Sequence, residues 1–160
     1  MADWTETKIL TSPMKSITEL FTEYQKVNPT DLTENQFQTL VMFFPALLVI
    51  ASDGVIDQEE WVYVKYLAKF MSDTYKKEVA ENELAGLNQA YFKNLEFLID
   101  NLDTWEERFL SSLKGHLDEF PFKKETVAET LHLFAEASEG ESDEEAEKIE
   151  EIAQKLDIEA

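Results

Sequence analysis

Residues 37–60 read FQTLVMFFPALLVIASDGVIDQEE, an apolar run followed by an acidic turn and the start of a charged segment. The apolar side chains recur at the three- and four-residue spacing of a helix, and Thr33 with Gln36 forms a capping-box pattern before them. This predicts a buried helix that ends at Ser52 and that Pro45 kinks or divides. We therefore expect the fold to be built around a helix, an acidic turn and a second helix.

The helix after the acidic turn is expected to follow Asp57, because Asp57 and Glu60 have the spacing of an N-cap residue and its partner. Apolar residues occupy most sides of this helix, so we predict that it lies at the centre of the fold. The aromatic side chains on the two helices that flank the turn are assigned to core packing. They are Phe43, Phe44, Trp61, Tyr63 and Tyr66.

The rest of the sequence predicts further helices. Gly and Pro number only four each, too few for the many turns of a sandwich or barrel of short strands. We therefore expect one all-α domain over residues 1–160, a compact bundle of about seven helices. Three more helix starts have N-cap chemistry: Ser12 before Pro13, Asp103 with Glu106, and Ser142 with Glu145.

Two acidic turns of the chain resemble each other. Residues 51–60 (ASDGVIDQEE) align with residues 137–146 (ASEGESDEEA) at an offset of 86 residues, and five of the ten positions are identical. The same offset puts the apolar residues of the two following helices on equivalent faces. A chance likeness is the alternative, because Gly and acidic N-caps are common at helix ends. We favour a duplication with units at roughly 35–71 and 121–157, which predicts two pseudo-symmetric helix–acidic turn–helix halves.

The first acidic turn matches only the later half of the calcium-binding EF-hand loop. The first and third loop positions would be Val49 and Ala51, and neither has a side-chain oxygen. In the second turn, Ala146 stands where the closing glutamate would be. A standard EF-hand site is therefore excluded.

The formal net charge of −20, from 34 acidic and 14 basic residues, limits the partners that this protein can bind. Such a charge repels nucleic-acid phosphates and anionic lipids, and it suits cations or a basic protein. It also suffices to keep a protein soluble without any binding role. The longest apolar run is too short to span a bilayer, and the N-terminus lacks the pattern of a secretory signal. We expect a cytoplasmic protein with neither nucleic-acid nor membrane partners.

The sequence contains no catalytic motif. Without cysteine, the chain has no disulfide, thiol nucleophile or cysteine-based zinc site. His116 and His132 lie in different predicted helices and lack metal-ligand spacing. Ser111 and Ser112 lack the glycine-flanked context of a nucleophile elbow. We therefore expect that the protein is not an enzyme.

Residues 46–60, ALLVIASDGVIDQEE, resemble the signature of the TerB-like family of tellurite-resistance proteins. The turn ASEG at residues 137–140, with the Glu-rich helix after it, resembles that family's second copy. The resemblance covers roughly residues 35–156. It implies a compact fold of about seven helices, an association with tellurite resistance and stress response, and a link to metal ions. Glu139 departs from the family's Asp-Gly pattern. The glutamate keeps a carboxylate at this position, but its longer side chain changes how far the carboxylate extends from the backbone.

The resemblance implies metal ligands on the two acidic turns. Hard divalent cations such as Ca²⁺, Mg²⁺ or Mn²⁺ prefer several carboxylate or carbonyl oxygens, and two neighbouring turns could supply them. Glu144 and Glu145 are the weaker candidates. The principal candidates are Asp53, Asp57, Glu60, Glu139 and Asp143.

The acidic residues of the two turns also suit two roles that require no metal. In the first role, they only cap helices and complement the helix dipoles, which needs no ligand. In the second role, the segment from Glu136 to Glu151 belongs to an acidic interaction module that recognises the basic surface of a protein partner. The sequence does not indicate an oligomeric state.

Overall fold

The described residues form helices and contain no strand. The computed structural model describes residues 16–52, 56–137 and 143–159. Over these ranges, the predictions of an all-helical fold and of about seven helices are confirmed. The α-helices are α1 (Ile17–Val27), α2 (Glu34–Ile50), α3 (Gln58–Asp73), α4 (Glu81–Asp100), α5 (Leu102–Glu119), α6 (Lys124–Ala137) and α7 (Asp143–Leu156), and a 3-10 turn at Pro121–Lys123 joins α5 to α6.

Helix α2 lies at the centre of the fold. It packs against each of the other six α-helices of the described residues, and every residue from Leu40 to Ile50 is buried. The predicted capping box is present: Gln36 N–H donates to Thr33 Oγ1 at 3.2 Å, and Thr33 N–H donates to Gln36 Oε1 at 2.9 Å. The helix is not divided, since it continues through Pro45. Neither α2 nor any other helix in the described ranges is long and apolar enough to cross a membrane.

Helix α3 is not the central helix, and that prediction is wrong. Leu67 and Met71 are fully buried, but Tyr66 is 57 % exposed and Phe70 is 38 % exposed. The helix packs mainly against α4 and α2, which cover one side and leave the other side to solvent. A helix with apolar residues on most of its sides is therefore not necessarily buried on most of its sides. The assignment of Tyr66 to core packing is wrong for the same reason.

At the offset of 86 residues, the buried face of α3 does not align with the buried face of α7. These two helices are the second helices of the two predicted units. The offset pairs Tyr66 with Ile152, and Ile152 is fully buried whereas Tyr66 is largely exposed. It also pairs Phe70 with Leu156, which is fully buried. A shift of one residue rotates a helix by about 100°, enough to turn a buried position towards solvent. The prediction of equivalent faces at this offset is therefore wrong for α3 and α7.

Helix α1 starts with a serine N-cap at Ser16. Glu19 N–H donates to Ser16 Oγ at 3.1 Å, which satisfies one of the free N–H groups of the first turn. The start that the sequence predicts at Ser12 lies outside the described residues, and so does the one predicted at Ser142.

The predicted cap at Asp103 is wrong, because α5 already begins at Leu102. Asn101 is the single residue between α4 and α5, and it takes the N-cap position without a side-chain cap hydrogen bond. Asp103 lies in the first turn, where its charge complements the helix dipole. The predicted apolar stripe of this helix is buried: it consists of Trp105, Phe109, Leu113 and Leu117.

Candidate functional site

The described part of the first acidic turn caps helix α3. Glu60 N–H donates to Asp57 Oδ1 at 2.8 Å, and Asp57 N–H donates to Glu60 Oε1 at 3.1 Å. This reciprocal capping box contributes about 0.5–2 kcal/mol to stability. The capping role therefore holds for both side chains. Capping alone does not prevent a carboxylate from binding a ligand, because each carboxylate has about four lone-pair sites.

The second acidic turn leads into helix α7. Asp143 is the first residue of this helix, and both Asp143 and Glu144 are exposed. Glu145, in the same first turn, is buried, with only 8 % of its surface exposed. Three carboxylates within one helical turn complement the positive end of the helix dipole. Helix stabilisation therefore accounts for the position of the two exposed carboxylates, Asp143 and Glu144.

The structure does not bring the described candidates together as a metal site. Asp57, Glu60 and Asp143 are described, whereas Asp53 and Glu139 lie outside the described residues. Among the residues that are described, no group of three or more His, Asp or Glu side chains could hold a metal ion. A coordination site on these turns would therefore need oxygens from the two stretches between α2 and α3 and between α6 and α7.

A polar cavity of about 470 Å³ opens beside the first acidic turn. Ser52, which directly precedes Asp53, lines it where α2 ends. Asp100 and Asp103 line it at the junction of α4 and α5. Lys148 reaches it from α7. The cavity thus combines the beginning of one acidic turn with side chains from three other helices.

Lys148 supplies the positive charge of this cavity. Its Nζ lies 3.0 Å from Glu106 Oε2 and 3.0 Å from Glu151 Oε2, and its side chain is only 20 % exposed. Burial by itself lowers the pKa of Lys148, but the hydrogen bonds to Glu106 and Glu151 outweigh burial and raise the pKa above its ordinary value. The hydrogen bond from Lys148 in turn lowers the pKa of Glu151. The ammonium group is therefore held in the charged form.

A second lysine extends these ion pairs along the interface of α5 and α7. Lys155 Nζ lies 2.6 Å from Glu107 Oε1 and 3.7 Å from Glu151 Oε2. The hydrogen bond to Glu107 is the main reason why the pKa of Lys155 is raised. We call these residues the α5–α7 ladder: Glu106, Glu107, Lys148, Glu151 and Lys155.

The cavity and the ladder are not evident from the sequence. The spacing of Asp103 and Glu106 predicts a cap, whereas both residues line this cavity. The sequence does indicate that Lys148, Glu151 and Lys155 share one face of α7, because they are spaced three and four residues apart. The contact between that face and α5 depends on tertiary packing, which this spacing does not show.

His116 forms a hydrogen bond near the end of α5. Its Nε2 lies 3.0 Å from Lys123 Nζ. Burial lowers the pKa of His116, and the positive charge of Lys123 lowers it further. Because the lysine ammonium can only donate, the imidazole Nε2 accepts this hydrogen bond.

Comparison of the chain with protein-family models, with curated proteins and with solved structures gives no match in any of the three.

We expect Lys148→Met to lower the free energy of unfolding by about 1–2 kcal/mol at pH 7, because Glu106 and Glu151 lose the ammonium group that neutralises them. The matched control is Lys65→Met, which removes an exposed lysine from α3. Urea unfolding followed by circular dichroism measures both.

The effect of Lys148→Met should depend on pH. The pKa of Glu151 is lowered in the folded state, so its contribution exists above its unfolded pKa of about 4.3 and is lost as the pH falls further. The pKa of Lys148 is raised, so its contribution persists up to its unfolded pKa of about 10.4 and is lost above it. A stability difference that is the same at pH 3 and pH 7 would contradict the role of these ion pairs.

Proposed function

We propose that this chain is a non-enzymatic TerB-like protein of the tellurite-resistance and stress-response type, whose acidic turns bind a divalent cation. The observation that supports this proposal is a burial pattern that is repeated in the two helices that follow the acidic turns. Val64, Leu67 and Met71 of α3 are fully buried. The residues 85 positions later in the chain, Ile149, Ile152 and Leu156 of α7, are buried as well.

This repeat supports a duplicated helix–turn–helix unit. The first helices of the two units, α2 and α6, pack closely against each other. The stretch between the helices of the first unit, residues 51–57, is two residues longer than the corresponding stretch 138–142 of the second unit. The offset between the two units accordingly falls by two residues across the turn, from 87 at the ends of the first helices (Ile50 and Ala137) to 85 at the starts of the second helices (Gln58 and Asp143), and the 86-residue offset of the turns lies between the two.

The chemistry of the two turns suits a hard divalent cation such as Ca²⁺, Mg²⁺ or Mn²⁺. Asp57, Glu60 and Asp143 supply carboxylate oxygens at the starts of α3 and α7. Asp53 and Glu139 complete the proposed set of ligands from the turns themselves. Since Asp57 and Glu60 already cap α3, we expect weak binding, because coordination has to preserve the capping geometry.

Calorimetric titration of the full chain with Ca²⁺, Mg²⁺, Mn²⁺ and Zn²⁺ tests this proposal. We expect at least one of the first three to bind with a dissociation constant below about 1 mM, the weak end of protein calcium sites. The double variant Asp53→Asn with Asp143→Asn should weaken binding at least tenfold, because two anionic ligands become neutral.

A matched control removes two charges away from the turns, Asp31→Asn with Glu96→Gln, both at exposed positions. This control should bind the cation like the unaltered chain. Absence of binding below millimolar concentration, with a turn variant that changes only stability, would refute the metal proposal.

A second candidate function is recognition of a basic protein partner, and the charge of α7 favours it. In the described part of the segment from Glu136 to Glu151, carboxylates dominate the exposed surface. Lys148 is the one basic side chain among residues 143–151, and it is already paired with Glu106 and Glu151. The exposed acidic residues are Asp143, Glu144, Glu147, Glu150 and Glu151.

If this second function is right, an oligolysine peptide should bind to the start of α7, and its dissociation constant should rise more than tenfold between about 50 and about 500 mM salt. Fluorescence anisotropy in the presence of EDTA measures this binding independently of any divalent cation. A salt-independent complex, or binding that is unaffected by the combined change Glu144→Gln and Glu147→Gln, would rule it out.

A further inference from the structure

A groove runs between α6, α7 and residues 157–159. It consists of two adjoining cavities of about 910 Å³ and about 570 Å³. His132, Asp157 and Ile158 line both cavities, so the cavities meet at these three residues. We call this feature the C-terminal groove.

Apolar side chains of α6 and α7 form the floor of the C-terminal groove, and the polar His132 and Gln154 also line it. Ala128 and Leu133 line it from α6, and Ala146 and Ala153 line it from α7. Leu133 is 52 % exposed, although it is a large aliphatic side chain. An exposed leucine in a concave site is a surface that an apolar side chain of a partner can cover favourably.

The rim of the groove is acidic. Among the described residues that line it, Lys124 is the one lysine or arginine, and its Nζ lies 3.8 Å from Asp157 Oδ2 and thus neutralises part of one carboxylate. Four further carboxylates remain around the apolar floor, which gives the groove a negative field. The rim carboxylates are Glu125, Glu129, Glu150, Asp157 and Glu159.

The chain after α7 is fixed as a wall of the groove. Asp157 has a φ of 57°, the left-handed conformation that commonly ends a helix. Ile158 N–H donates to Ala153 O at 3.0 Å, and Asp157 N–H donates to Gln154 O at 3.3 Å, the two hydrogen bonds of a Schellman motif. These bonds hold Ile158 against the core, where it is partly buried. The groove is therefore preformed.

We infer that the C-terminal groove binds a basic amphipathic helix of a partner protein. The apolar floor matches the apolar stripe of such a helix, and the acidic rim matches lysine or arginine side chains on both sides of that stripe. The α6 side of the groove extends from Lys124 to Leu133, about 14 Å along the helix axis. That length accommodates about three turns of a bound helix.

This inference rests on the second proposed function in one respect, that the partner is basic, but it assigns a surface that shares only Glu150 with the exposed acidic residues named for that function, and it requires apolar contacts. The two can be separated with two probes: a helical peptide of about 14 residues with Leu on one face and Lys on the other, and an oligolysine peptide of the same charge. Chemical-shift mapping on the full chain reports where each peptide binds.

We expect the amphipathic peptide to shift resonances of residues 124–133 and 146–158 and to bind at least tenfold more tightly than oligolysine. Leu133→Asp should weaken binding of the amphipathic peptide at least tenfold, because the change puts a charge on the apolar floor. The matched control Val62→Asp, at an exposed apolar position of α3 outside the groove, should have no such effect. Circular dichroism confirms that both variants are folded.

Charge reversal tests the rim. Glu125→Lys with Glu129→Lys, at two exposed positions of α6, should weaken binding of the amphipathic peptide at least tenfold, whereas Glu83→Lys with Glu96→Lys on α4 should weaken its binding less than threefold. Equal binding of the two peptides, or shifts confined to other surfaces, would overturn the groove assignment. If oligolysine still binds at the start of α7 in that case, the second proposed function survives without the groove.

Discussion

Burial of helix α2 on all its sides is the constraint on which the rest of this structure depends. Eleven consecutive residues, from Leu40 to Ile50, are removed from solvent, so no face of the helix can be left open. Each of the six other described α-helices therefore contributes an apolar face to α2. Removal of apolar surface from water is the main favourable term in folding, about 25 cal/mol per Å². The outer helices can consequently be strongly acidic on their other faces.

The distribution of charge follows from this arrangement. With the core supplied by apolar residues, the charged residues of the described ranges lie mainly at the surface. Several of the few lysines are used to hold helices together: Lys148 and Lys155 join α7 to α5, and Lys124 lies near Asp157. The remaining negative surface is suited to positively charged ligands, and the proposed functions differ in whether that ligand is a metal ion at the two acidic turns or a basic protein at α7.

Much of the fold can be predicted from local patterns, and the site only in part. The capping boxes at Thr33 and Asp57 are encoded within four residues, so the sequence correctly predicts the starts of α2 and α3. The exposure of Tyr66 is not predictable in this way, because an aromatic side chain on a helix does not reveal which neighbour will cover it. The same holds for the C-terminal groove and the α5–α7 ladder. Both depend on contacts between distant parts of the chain, and such contacts have no periodicity in the sequence.

Native-state hydrogen exchange tests the central role of α2 most directly. If the other helices depend on burial of this helix, the amides from Leu40 to Ile50, apart from Pro45, should exchange only through complete unfolding. Their exchange free energies should then equal the free energy of unfolding from denaturant titration and should be the highest in the protein. Exchange of these amides through a smaller opening, while α4 and α5 remain protected, would contradict the account.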